Sequence, residues 1–266
     1  MAEHTPTLET PAARAYAKYD PKDPPPHPGA GWTRFVCISD THSRTHWNVP
    51  PGDVLVHAGD LTRRGHLHQL KETLEWVSRM PHPVKIVIGG NHDACLDPNM
   101  LSKMSKKHAA DLRHDWTAAG KMVRSEKLRE SGVVYLDREE VQATIAPSGR
   151  RWRVYGDPGT PRYGMPSFQY NRGVEAAARY ERIPDETEIL VTHGPREGVL
   201  DATLEGVSAG CGDLRERVGR LGRLRLHVSG HLHEAHGVHL EAETGLVSVN
   251  CAVYWTGQAV IVDLID

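Results

Sequence analysis

Side chains that can bind a metal ion follow five separate apolar runs of the sequence. Each run is short and rich in Val, Ile or Leu, and Asp, Asn or His comes directly after it, often beside Gly. A single case of this kind is ordinary turn chemistry, because these residues are common where a strand ends. Five cases in one chain favour one convergent site. The residues are Asp40 with His42, Asp60, Asn91 with His92, His193, and His231 with His233.

The residue types of this set suit a centre with two metal ions. Imidazole nitrogen binds borderline transition ions, carboxylate oxygens neutralise their charge, and the neutral amide of Asn adds an oxygen without adding charge. Two ions about 3.5 to 4 Å apart can clamp a phosphate, lower the pKa of a shared water and stabilise an in-line displacement. The chemistry that this set predicts is hydrolysis at phosphorus.

Such a site requires parallel strands whose carboxyl ends meet. The runs FVCIS, DVLVHA and VKIVIGG are typical of strands buried on both faces. Between the second and third runs, residues 66–80 place Leu67, Leu70, Leu74 and Val77 at helical spacing. Strand, helix and strand predict a right-handed parallel unit, and ligands gather at the carboxyl ends of such strands. The predicted fold class is α/β.

The rest of the chain supplies further elements. VVYL, VQATI and WRVYG follow one another closely and favour antiparallel strands. Residues 173–182 and 212–221 have helical patterns, and EILVTH, LRLHVSG, GLVSVN and AVIVDLI are predicted strands. Residues 1–30 are rich in Pro, which predicts a flexible N-terminal arm outside the core. Residues 31–266 would then form one domain, with a helical insertion at about residues 94–130.

Composition limits the partners. With 39% apolar and 25% charged residues, the chain is typical of a folded protein rather than a disordered one. The net charge of −2 gives no positive field, so we expect neither long nucleic acid nor a membrane as a partner. The sequence shows no apolar run long enough to span a bilayer, and it shows no signal peptide. These two features predict a cytoplasmic location. The four cysteines are far apart and are predicted to be isolated thiols, and no pattern indicates an oligomeric state.

In chain order, the motifs resemble those of the calcineurin-like metallophosphoesterases. They are D-x-H, G-D, G-N-H, a strand-end H-G, and G-H-x-H. The surrounding segments GDVLVHAGDLT, KIVIGGNHD and LHVSGHLHEAHG are similar to the small metallophosphoesterase-domain branch of that family, which acts on cyclic nucleotides and model phosphodiesters. The resemblance covers residues 33–265. It implies a fold of two packed mixed β-sheets flanked by helices.

The resemblance also implies a role for each residue of the set. Two divalent or transition metal ions are expected, and Mn, Fe and Zn are all compatible with the set. His92 would not be a ligand, because it would face the phosphate and protonate the leaving oxygen. The implied ligands are Asp40, His42, Asp60 and His233 for one ion, and Asp60, Asn91, His193 and His231 for the other, with Asp60 as the bridge.

Two departures from the protein phosphatases of this family bear on the substrate. Those enzymes carry an acidic residue three positions after the bridging Asp, where this chain has Arg63, and an Arg directly before G-N-H, where it has a glycine. We therefore predict a phosphodiesterase of small, nucleotide-like substrates that acts by attack of a metal-bridging hydroxide. A metal-binding scaffold with weak activity, a nuclease and a phosphomonoesterase are the alternatives. The presence of His92 beside a full ligand set favours an enzyme, and the near-neutral charge counts against a nuclease.

Overall fold

The computed structural model describes residues 4–103, 106–145, 148–164 and 167–266, with backbone alone for residues 101–103 and 106–114. Within these ranges the strands are β1 (Leu8–Thr10), β2 (Ala13–Tyr16), β3 (Trp32–Ile38), β4 (Val54–His57), β5 (Val84–Ile88), β6 (Val133–Leu136), β7 (Glu139–Thr144), β8 (Arg151–Asp157), β9 (Thr160–Pro161), β10 (Gln169–Tyr170), β11 (Ile189–Thr192), β12 (Leu226–Ser229), β13 (Gly237–Leu240), β14 (Val247–Asn250) and β15 (Val260–Ile265). The α-helices are α1 (Leu67–Ser78), α2 (Lys106–Val123), α3 (Glu126–Glu130), α4 (Val174–Tyr180), α5 (Gly212–Gly219) and α6 (Val253–Thr256). Short 3₁₀ turns span Ala94–Leu96, Pro98–Lys103 and His233–Ala235.

Two large mixed sheets form the framework. The first has the strand order β1-β2-β15-β3-β4-β5-β6, and β3 to β6 run parallel. The second has the order β13-β14-β12-β11-β8-β7, and β14, β12, β11 and β8 run parallel. Strands β9 and β10 pair separately. The predicted fold class, two packed mixed β-sheets flanked by helices, is confirmed.

Strand β3 shows why the predicted strands lack polar alternation. Phe35 and Cys37 pack between the two sheets, where the ring of Phe35 meets Trp152 of β8 edge-on at 5.6 Å between centroids. Val36 and Ile38 belong to a second apolar layer that includes helix α1. Successive side chains of a strand point to opposite faces, so a strand covered on both sides must be apolar throughout. Full burial of each such side chain contributes about 1.5–3 kcal/mol.

Helices cover the outer faces of both sheets. In α1, Leu70, Leu74 and Val77 are buried against the first sheet, as their spacing predicts. Helices α4 and α5 form a third apolar layer with residues of the second sheet, such as Tyr155 and Leu190. Among the described residues, no helix combines the length and the apolar character needed to cross a membrane.

The chain changes sheets between β6 and β7. VVYL was expected to pair antiparallel with the strands that follow, but it forms β6, which runs parallel to β5 in the first sheet. Of these three predicted strands, only the second and third, β7 and β8, pair antiparallel with each other, in the second sheet. Arg138 makes the crossing possible with a φ of 57° and an N–H that donates to Gly156 of β8 at 2.7 Å. The predicted antiparallel pairing of VVYL is therefore wrong.

Part of the Pro-rich N-terminal segment pairs with the first sheet. Strand β2 pairs antiparallel with β15 at the side of the first sheet, and Ala13, Ala15 and Tyr16 are buried. Between residues 94 and 130, the described part of the chain contains 3₁₀ turns and the helices α2 and α3. The division of the chain at residue 31 and the description of residues 94–130 as an insertion stay predictions.

One buried arginine ties the Pro-rich segment to the sheet. Arg34 of β3 pairs with Asp263 of β15 through two hydrogen bonds of 2.7 and 2.8 Å. The same guanidinium donates to the carbonyl oxygens of Pro25 at 2.6 Å and Pro26 at 2.8 Å. Four hydrogen bonds thus satisfy a charge that is almost fully buried, and they fix the path of the chain before β3.

The carboxyl ends of five parallel strands meet at one edge of the two sheets. In the first sheet, β3 leads to Asp40, β4 to Asp60 and β5 to Asn91. In the second sheet, β11 leads to His193 and β12 to His231. The two sheets therefore bring the predicted set of polar residues to one place.

Candidate metal centre

Asp60 lies at the middle of a cluster of imidazoles and is 2% exposed. Its Oδ1 is 3.2 Å from Nε2 of His193. Its Oδ2 is 3.7 Å from Nε2 of His42 and 4.0 Å from Nε2 of His92. The two carboxylate oxygens thus face different histidines, as a bridging carboxylate would require.

Asp40 lies on the His42 side of this cluster. Its Oδ1 is 3.2 Å from Nε2 of His233 and 4.0 Å from Nε2 of His42, and the two Nε2 atoms are 3.4 Å apart. Burial opposes ionisation of Asp40, but its hydrogen bond with His233 and the nearby imidazoles hold its pKa well below the usual range. Two ring nitrogens and an ionised carboxylate that converge in this way suit a cation, because their lone pairs would otherwise oppose one another.

His193 occupies the other side. Its Nδ1 lies 2.8 Å from the carbonyl oxygen of Ala58, to which it donates, so that Nε2 faces the cluster. There Nε2 is 2.9 Å from Oδ1 of Asn91 and 3.2 Å from Asp60. Burial lowers the pKa of His193, but the carboxylate of Asp60 outweighs this effect and raises it to about 9. A proton here takes the place that a cation would hold among these donors.

His231 lies farther from the centre. Its ring centroid is 5.2 Å from that of His193, and its backbone N–H donates to Oδ2 of Asp40 at 2.9 Å. Burial lowers the pKa of His231 to about 4, so its imidazole is neutral and able to bind a metal. Within the described residues, three groups place their potential ligand atoms within 4.8 Å of one another, and none includes His231: Asp40 with His42 and His233, His42 with Asp60 and His92, and Asp40 with Asp60 and His193.

His92 has an orienting partner that the sequence does not indicate. Its Nδ1 is 2.8 Å from the backbone carbonyl oxygen of Arg63 and donates to it. Its Nε2 faces Asp60, and its ring lies 4.7 Å from the ring of His42. At position 63, where protein phosphatases of the resembled family carry an acidic side chain, a carbonyl oxygen orients the imidazole here. Because that partner is backbone, the identity of residue 63 gives no signal of it.

Four residues of the predicted ligand set have a left-handed backbone. The φ angles are 57° at Asp40, 46° at His42, 54° at Asp60 and 67° at His231. Non-glycine residues adopt such angles infrequently, at a cost on the order of 1–3 kcal/mol each, and they concentrate at functional sites. These left-handed angles therefore mark the loops that carry the predicted ligands.

Asp93 fixes the loops that carry the cluster, a role that was missed in the sequence. Its carboxylate accepts hydrogen bonds from the N–H groups of Leu61 at 3.1 Å, Thr62 at 2.8 Å and Gly90 at 2.9 Å, and from the Thr62 hydroxyl at 2.8 Å. Burial and the neighbouring carboxylate of Asp60 raise the pKa of Asp93 to about 7. The only signal in the sequence is the Asp that follows G-N-H.

Tyr254 also borders the cluster without a signal in the sequence. Its ring centroid is 5.2 Å from that of His42 and 5.0 Å from that of His233. The guanidinium of Arg44 lies 4.3 Å from the ring centroid of Tyr254 and donates to its hydroxyl at 3.2 Å. An aromatic ring in contact with a cation thus borders the cluster on the His42 side.

Comparison with known proteins identifies a matching protein family and several similar proteins. Residues 33–235 match the family model described as Calcineurin-like phosphoesterase. Metallophosphoesterase domain-containing protein 1 of Homo sapiens and that of Mus musculus are each 34% identical over 250 residues, which cover 91% of this chain and 75% of the relative. A UPF0046 protein of Caenorhabditis elegans is 33% identical over 225 residues, covering 84% of this chain and 71% of the relative. One solved crystal structure shares the fold, with a TM-score of 0.55 at 14% identity over 86% of this chain and 94% of the other.

Proposed function

The chain belongs to the calcineurin-like phosphoesterase family, and from this premise we propose that it is a phosphodiesterase with two metal ions. Its substrates are small, nucleotide-like phosphodiesters. The position of Asp60 between His193 on one side and His42 on the other carries the proposal. A carboxylate placed in this way can serve two cations at once.

The proposal assigns every member of the predicted set. The donor atoms fit transition ions in type, because each side of the cluster combines imidazole nitrogen with carboxylate oxygen and one side adds an amide. His231 completes the second group in this assignment, with its neutral imidazole beside His193. The proposed ligands are Asp40, His42, Asp60 and His233 for one ion, and Asp60, Asn91, His193 and His231 for the other.

The ions, when bound, supply positive charge for the phosphate and lower the pKa of an attacking water. His92 supplies the proton for the leaving oxygen. Arg63 holds Nδ1–H of the ring through its carbonyl, so a proton on Nε2 faces the cluster and can pass to that oxygen. Asp60 fixes the main chain at the same place, because its Oδ1 accepts the backbone N–H of His92 at 2.9 Å.

The surroundings of the G-N-H motif support a diester rather than a phosphoprotein. Protein phosphatases of this family carry an Arg before that motif, and such side chains make bidentate contacts to a dianionic phosphate. Here the position is Gly89, and a Cβ added there would meet Cε2 of Phe168 at 2.9 Å. Phe168 therefore occupies the space beside the glycine. A diester carries one negative charge instead of two and depends less on the missing cation.

A comparison of substrates tests the proposal. The full chain is loaded in turn with Mn²⁺, Fe²⁺ and Zn²⁺, and kcat/KM is measured for bis-p-nitrophenyl phosphate, p-nitrophenyl phosphate, a phosphopeptide and a panel of cyclic nucleotides. This ratio reports differential stabilisation of the transition state. We expect diesters to be preferred. A tenfold advantage for the monoester or the phosphopeptide would refute the diesterase assignment, and stable metal binding without turnover on any ester would favour the scaffold alternative.

A further inference from the structure

A pocket opens beside the cluster on the side of His231. Its volume is about 600 Å³, which is within the range of roughly 300–1,000 Å³ for small-molecule sites. Its wall continues from the cluster, because His231 and Leu232 line it. The remaining wall comes from residues 161–163 with Arg172, and from a hairpin of residues 201–210.

Three exposed apolar side chains meet in this pocket. Tyr163 is 80% exposed, Leu204 74% and Val207 59%. Among the described residues, six large apolar side chains are exposed, and half of them line this one pocket. Clustered apolar exposure at a concave surface is typical of a binding site, whereas scattered exposure is not.

Hydrogen bonds hold the two walls in place. The guanidinium of Arg172 donates to the carbonyl oxygen of Ala209 at 2.7 Å, which joins one wall to the hairpin. The backbone N–H of Leu204 lies 3.3 Å from the Glu234 carboxylate, to which it donates. Glu234 belongs to the His233–Ala235 turn of the cluster. The backbone of the hairpin is thus fixed beside the candidate metal centre before any ligand binds, which lowers the entropic cost of binding.

Two other residues of the same loop region face inward instead. Phe168 is 5% exposed and Tyr170 is 1% exposed, and both belong to the apolar layers of the fold. Of the aromatic side chains that the sequence places between residues 157 and 172, Tyr163 alone lines the pocket in the described part of that segment. It provides one exposed ring face for stacking.

His92 and the pocket lie towards opposite ends of the Asp60 carboxylate. Nε2 of His92 is 4.0 Å from Oδ2, whereas Nε2 of His193 is 3.2 Å from Oδ1. His231, which lines the pocket, is the neighbour of His193, with 5.2 Å between the ring centroids. The leaving oxygen must reach His92 for its proton. The group that reaches the pocket is therefore the other ester group.

We propose that this pocket binds the ester group that remains on phosphorus, and that it selects a flat aromatic group of nucleobase size. The inference rests on the proposed function and adds which ester group of the substrate the protein recognises. Water adds to phosphorus, the P–O bond to the alcohol beside His92 breaks, and that alcohol leaves with a proton. The product is a phosphomonoester that still carries the aromatic group. Tyr163 stacks on this group, and Leu204 and Val207 cover its edge.

Two diesters with the same leaving group test the selection. We compare methyl phenyl phosphate with 2-naphthylmethyl phenyl phosphate, from which phenol departs in both cases, because it is a better leaving group than either alkyl alcohol and still benefits from the proton of His92. The ratio of their kcat/KM values should favour the naphthyl ester by about tenfold or more, the usual effect of a filled apolar pocket. In the double variant Tyr163→Ala/Leu204→Ala this ratio should fall to near one, mainly through KM. Val174→Ala is the control, because Val174 is 89% exposed and lies outside the pocket, and its ratio should equal that of the wild type.

A binding measurement separates this inference from the proposed function. The metal-loaded protein is titrated calorimetrically with methylphosphonate and with 1-naphthylmethylphosphonate, whose P–C bonds are not hydrolysed. A preference of about tenfold for the naphthyl compound that the double variant loses and Val174→Ala keeps supports the pocket, even if neither diester is turned over. Equal affinities, or a preference that the double variant retains, overturn the pocket assignment and leave any measured diesterase activity standing.

Discussion

Hydrogen bonds stabilise Asp60 in a left-handed backbone conformation that is unfavourable for a non-glycine residue. Its φ of 54° is offset by two hydrogen bonds, because its carbonyl oxygen accepts the N–H of His42 at 3.0 Å and its Oδ1 accepts that of His92 at 2.9 Å. These contacts fix the carboxylate so that each oxygen faces a different imidazole. Such prior fixing of charged groups is what makes electrostatic stabilisation effective in an active site.

Replacing the central carboxylate gives the first prediction. Asp60→Asn should abolish turnover and lower the metal content at both positions, because a neutral amide cannot bridge two cations. Metal per protein chain is measured by elemental analysis beside kcat. Asp185→Asn serves as the control, since that carboxylate is 80% exposed and should leave both quantities unchanged. Full metal occupancy in Asp60→Asn would remove the bridging role.

The second prediction concerns the proposed proton donor. His92→Ala should keep both metals and lose roughly 10²- to 10⁴-fold in kcat, the usual effect of losing one general acid. The loss should be smaller for a p-nitrophenyl ester than for an alkyl ester, because p-nitrophenolate leaves without a proton. Rates on both esters are measured with metal content.

Two other results for His92→Ala would change the assignment. An equal loss on good and poor leaving groups would indicate that His92 binds the phosphate instead of donating a proton. Loss of metal would make it a ligand. That second result has a structural basis, because His92 forms one of the close groups with His42 and Asp60.

At the scale of elements, local patterns made most of the site predictable. A strand buried on both faces is a short apolar run, and the polar residue that follows it is visible in the sequence, so Asp40, Asp60 and His193 could be placed at strand ends. Pairing between distant segments was not predictable, because apolar runs do not encode which sheet they join. β6 was misplaced for this reason. β2 was missed because ARAY is four residues long and contains a charged residue.

The contacts that position the candidate site could not be predicted from the sequence either. The carbonyl of Arg63 orients His92, yet every residue has a carbonyl. Tyr254 reaches the cluster from helix α6, after the end of β14, and no motif marks it. Motifs therefore indicate which side chains are candidates for the chemistry, whereas the groups that position them come from the tertiary fold.

The third prediction tests how the loops after β4 and β5 are joined. Asp93→Asn replaces one acceptor with an NH₂ group that must face either the N–H groups of Leu61 and Gly90 or the N–H of Thr62. A buried donor left without an acceptor costs about 1–3 kcal/mol. We expect a lower free energy of unfolding in urea and weaker metal binding, because both loops carry ligands. A variant with wild-type stability and metal affinity would show that Asp93 is dispensable for the loops.

At the scale of the whole molecule, the cluster joins the two sheets. Asp40, Asp60 and Asn91 follow strands of the first sheet, and His193 and His231 follow strands of the second. A metal ion bound between them would therefore hold the sheets together at this edge. Ligands that bind only the folded state stabilise it, and a metal competes with protons for histidine nitrogen. The stability of the entire fold should thus depend on metal and on pH together.

The last prediction is that the metal-free protein becomes less stable between pH 7 and pH 9. The folded pKa of His193 is about 9, above its ordinary value of 6.5, so its contribution is fully present below pH 6.5 and is lost as the pH rises through 9. Asp93, whose pKa is raised to about 7, loses its remaining proton at the start of this window, which lowers stability in the same direction, whereas the buried His231, with a pKa near 4, is already neutral at pH 7. The loss is about 2 kcal/mol, or a fall in Tm of roughly 4–8 °C for a chain of this size.

With saturating Zn²⁺ the fall should vanish, because the metal replaces the proton and binds more tightly as the pH rises. The Tm is measured by thermal unfolding at pH 7 and pH 9, once with a chelator and once with Zn²⁺. A metal-free Tm that rises over this window would mean that Asp60 and His193 do not form a proton-sharing pair.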